Sequence, residues 1–152
     1  SLAGLPTIPM KTLFYLSMSL TITAGLFFLS SEGKVGYLFS LAGVLTFVIS
    51  VASLISFISL YFYALPTHRC PFCILQREYH YIGYPLYIML LAGILGTTGV
   101  GILMPFRDVD SLQGVVQRIQ KRLAIMSMVS YVLFTMITTF TMVFTDFKLE
   151  GY

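Results

Sequence analysis

Four long apolar runs, each almost free of charge, set what this chain can fold into. They lie at about Thr12 to Leu29, Val35 to Tyr63, Tyr81 to Met104 and Leu123 to Phe144. A helix rising about 1.5 Å per residue crosses roughly 30 Å of hydrocarbon in about 17 to 25 residues, and every run is long enough. The runs are continuous rather than alternating, which argues against a closed membrane barrel. Only 10% of the 152 residues are charged, against about 25% in a soluble domain. The sequence thus predicts an all-α integral membrane protein: one domain over residues 1–152, a four-transmembrane-helix bundle.

The joints between the runs refine this. Residues 1–11 hold Pro6, Pro9 and Lys11 and read as an interfacial lead-in to the first helix. No small-x-small cleavage pattern follows the first run, so it is expected to be a retained span, closed by a tight turn at Ser30 to Lys34. The second run is long enough to tilt or to project into the headgroups. Its Ser40, Ser50, Ser53, Ser56 and Ser59 are expected to bond back to the helix or across to a neighbour. Tyr61 and Tyr63 mark an interface, and Tyr79, Tyr81, Tyr84 and Tyr87 a second aromatic belt. Pro85, inside the third run, predicts a kink. Residues 107–122 read as a short amphipathic surface helix running into the fourth span. Leu112, Val115, Val116, Ile119 and Leu123 fall at helical spacing there, and Asp110 with Gln113 form a cap. Its basic side, Arg118, Lys121 and Arg122, is expected to face anionic headgroups. Met126, Met128, Met136 and Met142 read as packing residues of the last span.

With four spans, Lys34, Arg107, Arg118, Lys121 and Arg122 share one side and Lys11, Arg69, Arg77 and Lys148 the other. The dense group beside a span end points to residues 105–122 as cytoplasmic, with both termini and the loop before the third span outside. The net charge of +3 is not gathered on a soluble surface, and no nucleic-acid motif accompanies it.

That loop holds the chemistry. Both cysteines and both histidines of the protein lie in His68-Arg69-Cys70-Pro71-Phe72-Cys73-Ile74-Leu75-Gln76-Arg77-Glu78-Tyr79-His80. In an oxidising compartment a disulfide here would persist. With Pro71 at a first helical position, Cys70 would cap a helix whose N-terminal donors stabilise a thiolate. Continuing that helix would bring Gln76, Arg77, His80 and Tyr84 onto the Cys73 face. Arg77 would then lower the Cys73 pKa and hold the carbonyl of a bound acceptor. Glu78 falls off that face and reads as a solvated or arginine-paired carboxylate.

Cys70-Pro71-Phe72-Cys73-Ile74-Leu75-Gln76-Arg77, set where one span ends and the next begins, resembles the Cys-x-x-Cys-x-x-Gln/Glu-Arg signature of the DsbB family of membrane thiol oxidases. The resemblance covers about residues 45–90. It implies a thiol:quinone oxidoreductase of a bacterial inner (cytoplasmic) membrane, with the cysteines on the extracytoplasmic side. The cofactor would be a quinone, ubiquinone or menaquinone, and the partner a thioredoxin-fold protein. It implies that Cys70 exchanges with an incoming thiol, Cys73 faces the quinone and Arg77 stabilises the developing quinone anion. Gln76, His80 and Tyr84 would line the quinone. Two departures stand against a full match. Family members carry a second cysteine pair in a later external loop, whereas this chain has two cysteines in all, and here the motif lies between the second and third spans rather than the first and second. A partner would exchange directly with Cys70, or another membrane subunit would supply the missing pair.

Two other readings use the same residues. His68, Cys70, Cys73 and His80 offer nitrogen and sulfur for a tetrahedral metal, although a straight helix would put His80 about 10 Å from Cys73. Alternatively the chain is a small anchor subunit of a larger respiratory or transport complex, its cysteines stapled or inert. Haem attachment through Cys-x-x-Cys-His is excluded, because Ile74 follows Cys73.

Overall fold

A computed structural model describes residues 6–31, 34–64 and 70–145. Four helices in it are long and apolar enough to cross a membrane, and the described residues contain no strand. They comprise α1 (Thr7–Ser30), the second span made of α2 (Gly36–Ser53), a π-helical segment Leu54–Ile58 and α3 (Ser59–Tyr63), then α4 (Gly83–Leu103) and α5 (Gln113–Phe144). Each helix packs on its successor, and α5 returns against α1 to close the bundle.

Lipid is as apolar as leucine, so close packing and internal hydrogen bonds hold such a bundle together rather than water exclusion. Small residues supply the close approach. A Cβ placed on Gly96 of α4 would lie 2.8 Å from the Leu123 carbonyl oxygen of α5, so the two helices approach backbone to backbone there. Polar groups tie the middle layer. The Thr21 and Thr46 hydroxyls meet at 2.6 Å between α1 and α2, Ser127 donates to the Gly93 carbonyl at 2.8 Å, and Tyr131 donates to the Gly43 carbonyl at 2.9 Å. Two apolar clusters flank this layer. One, around Phe28, Phe39 and Val100, lies toward the α4–α5 turn. The other, around Phe14, Phe57, Leu86 and Phe134, reaches up to Ile74 beside the cysteines.

Four expectations change. The first helix starts at Thr7 and takes in Pro9 and Lys11, because Pro9 falls in the first turn, where its missing N–H has no helical acceptor. Pro85 is likewise the third residue of α4, so it starts that helix instead of kinking it. Residues 113–122 run without a break into the last span as one 32-residue helix, but Asp110 does not cap it: its N-cap is Leu112, with no side-chain cap bond. Finally, the buried Ser50, Ser53 and Ser59 hydroxyls find no partner among the described residues. Met128 and Met142 pack against the clusters, while Met126 and Met136 face outward.

Candidate functional site

The cysteine segment does not extend the third helix. It folds as two separate 3-10 turns, Cys73–Leu75 and Arg77–Tyr79, split at Gln76 by an extended backbone with ψ 157°. The second turn ends in two consecutive left-handed residues, His80 at φ 54° and Tyr81 at φ 56°. Such a pair is unfavourable for residues carrying a Cβ and persists only where packing enforces it. Its effect is to turn the chain back, so that the Tyr81 N–H reaches the Gln76 carbonyl at 3.4 Å before α4 begins at Gly83.

Packing beneath the turns explains the enforcement. Ile74 is 0% exposed and plugs the apolar cluster at this end of the bundle. Gly83 closes over it: a Cβ there would sit 2.7 Å from Ile74 Cγ2 and 3.0 Å from the Ile74 carbonyl carbon. Two tyrosines pin the cysteine turn from either side. The Tyr63 hydroxyl, at the end of α3, donates to the Cys70 carbonyl, and the Tyr87 hydroxyl of α4 donates to the Pro71 carbonyl at 2.7 Å. Tyr63 also stacks edge-on with Tyr79, ring centroids 4.7 Å apart. Nearby, Lys11 donates to the Tyr61 hydroxyl at 2.7 Å and lies 5.0 Å from the ring centroid of Tyr61, a cation held at the same end of the bundle.

Both cysteines are free and half-buried, and they differ in character. The neighbouring Cys73 thiol and the backbone N–H groups of Phe72 and Cys73 favour the Cys70 thiolate, so the Cys70 thiol is held below its ordinary pKa of 9.0. Cys73 moves the other way. The neighbouring Cys70 favours its protonated form and raises its pKa, and burial adds to the rise. The turn's own amides thus do what a helix N-terminus was expected to do, and Cys70 is the activated thiol. Arg77 does not figure among the causes acting on Cys73.

The residues expected on one helix face do not lie on one helix. Gln76, Arg77, His80 and Tyr84 are all exposed, the first three on the second 3-10 turn and its two ends and Tyr84 on α4. Tyr81 and Tyr84 remain together at the surface with ring centroids 5.9 Å apart, and Glu78 is exposed. Among the described residues no three of His, Cys, Asp and Glu gather as metal ligands, and His68 lies outside those residues. Known protein families, curated proteins and solved structures offer no match to this chain.

The inward pair Tyr63 and Tyr87 was not recognisable as more than an aromatic belt from composition alone. Spacing carried a signal for Tyr87, which lies four residues after the buried Gly83 and three before the buried Leu90, on a face turned inward.

Proposed function

We propose that the chain is a membrane dithiol–disulfide protein that passes electrons between an extracytoplasmic thiol partner and a lipid-soluble quinone through Cys70 and Cys73. The placement of Cys70 and Cys73 three residues apart on one turn, pinned at its carbonyls by Tyr63 and Tyr87, carries this reading. The Cys70 thiol is held below its ordinary pKa and the Cys73 thiol above it, the division of labour that disulfide exchange needs.

Cys70 is the exchanging sulfur. As the thiolate it attacks a sulfur of the partner's disulfide, or, once paired with Cys73, it is the sulfur attacked by a partner thiolate and forms the mixed disulfide. Its lowered pKa suits it to leave as well as to attack. Closure of the Cys70–Cys73 disulfide releases two electrons and two protons. A bound quinone would supply the chemistry that accepts both. The residues fit such a group in kind: Cys73 packs against the apolar cluster, and exposed Arg77 and His80 follow within seven residues as N–H donors for a carbonyl oxygen. Tyr63 and Tyr87, with Ile74, hold the turn in place while either sulfur reacts.

Thiol mass-tagging tests the reading. The purified protein is reduced, freed of reductant under anaerobic conditions, and given a short-chain quinone. Both thiols are expected to become protected as an internal disulfide, and a partner dithiol to restore them. Thiols that stay reduced with quinone present would remove the redox reading. Co-purification with a large complex would then favour an anchor subunit, and bound zinc or copper a metal protein.

A further inference from the structure

The continuity of α5 fixes the depth at which its basic residues meet the headgroups. At about 1.5 Å per residue the 32-residue helix is about 48 Å long, well beyond the roughly 30 Å of hydrocarbon. The surplus lies at its start, since the uncharged part begins at Leu123. Arg118 and Arg122 therefore stand within two turns of the hydrocarbon edge, at headgroup depth, at the end of the bundle opposite the cysteines.

They also share a ridge with the lipid-facing surface. From Arg118 the steps to Arg122, Ile125, Val129, Val132 and Met136 run four, three, four, three and four residues, the spacing of one helix face. Each of these side chains is exposed in the bundle, as is Lys121 beside the pair. Whatever lipid lies along Ile125 and Val129 has its headgroup at the two guanidinium groups. The ridge leads to an apolar groove of about 330 Å³ between α1 and α5, which starts at Val132 and Ile22. Val132 is ten residues from Arg122, about 15 Å down the helix and so near mid-bilayer, where an acyl chain anchored at Arg122 would end.

The charge balance calls for an anion. Arg118 and Arg122 are one turn apart and repel each other, Lys121 adds a third positive charge, and no Asp or Glu occurs anywhere in α5. The acids nearest in the chain, Asp108 and Asp110, are exposed in the turn before the helix, at least eight residues from Arg118. Guanidinium forks bind phosphate oxygens in pairs.

We infer that Arg118 and Arg122 form a headgroup site for an anionic phospholipid, its phosphate between the two guanidinium groups and its acyl chain along the Ile125–Val129–Val132 ridge. This site is independent of the cysteine chemistry at the other end of the bundle.

The test uses the full chain reconstituted in mixed bilayers, with spin-labelled phosphatidylglycerol and spin-labelled phosphatidylcholine as probes of the lipid held at the protein surface. The wild type is expected to prefer phosphatidylglycerol by roughly threefold or more, as anionic headgroups at paired arginines should be favoured. The preference should fall to about parity in R118Q/R122Q and survive largely in R118K/R122K, with helicity unchanged in both because the side chains are exposed. Parity in the wild type would overturn the site. So would a preference that persists in R118Q/R122Q, or one abolished by millimolar inorganic phosphate at constant ionic strength, which would mean that free phosphate is the ligand.

Discussion

Replacing Ile74 by alanine tests whether the cysteine turn is held by its apolar plug. Ile74 is 0% exposed between the cluster below and Gly83 above, so its three lost carbons leave a hole that the surroundings fill only in part. At about 0.8 kcal/mol per carbon the transfer loss is about 2.4 kcal/mol, and a residual cavity raises the total toward about 3 kcal/mol, inside the usual 2 to 5 for such a change. Because Ile74 belongs to a short connecting segment, most of this loss should appear as undocking of the turn rather than unfolding of the four spans. Three kcal/mol corresponds to an open population larger by roughly a hundredfold. The assay is the alkylation rate of Cys73, measured with Cys70 replaced by serine, at a pH where the thiolate fraction is saturated. Ile74→Ala should speed it by up to that factor and Ile74→Val by roughly tenfold or less, since the latter change costs about 0.5 to 1.5 kcal/mol. Phe72→Ala, at a side chain 69% exposed on the same turn, serves as the control and should leave the rate alone. An Ile74→Ala protein with the wild-type alkylation rate and thermal midpoint would refute the plug and, with it, the explanation of the two left-handed residues.

Two further outcomes follow from the same geometry. The Cys70 thiolate should form below the ordinary thiol pKa of 9.0, so alkylation of Cys70 should already be fast at pH values where a free thiol is mostly protonated. In Cys73→Ala the neighbouring thiol is gone and the alkylation curve should move to higher pH, whereas Cys73→Ser, which keeps a hydroxyl donor, should stay near the wild type; an unmoved curve in Cys73→Ala would remove Cys73 as the cause. Gly96→Val should force α4 and α5 apart, because even its Cβ would lie 2.8 Å from the Leu123 carbonyl oxygen. A thermal midpoint in detergent well below the wild type is expected, and an unchanged one would show that the helices do not pack as described.

The membrane-spanning architecture was legible in the chain because lipid imposes a one-dimensional condition: a span must be long, apolar and helical, and each of the four runs shows this without reference to any other. The position of Cys70 and Cys73 at the junction of two spans was legible for the same reason. Local rules went wrong where a residue's role depends on its place within an element. Pro9 and Pro85 look like helix breakers in a list of residues and are ordinary first-turn prolines once the helices start at Thr7 and Gly83. The shape of the site was decided only in three dimensions. A Cys-x-x-Cys before an apolar run suggests a helix start, but Ile74 sinks into a cluster built by α1, the second span, α4 and α5, and the chain must break at Gln76 and reverse at His80 and Tyr81 to let it do so. The break leaves Gln76, Arg77 and His80 on a 3-10 turn and Tyr84 on α4, while Tyr63 and Tyr87 bond the carbonyls of Cys70 and Pro71 beside the lowered Cys70 thiol. The sequence by itself determined that the two cysteines fall between the second and third spans, because hydropathy is local. Only the tertiary structure decided which of them is activated, because a thiol's proton responds to the donors that folding brings to it.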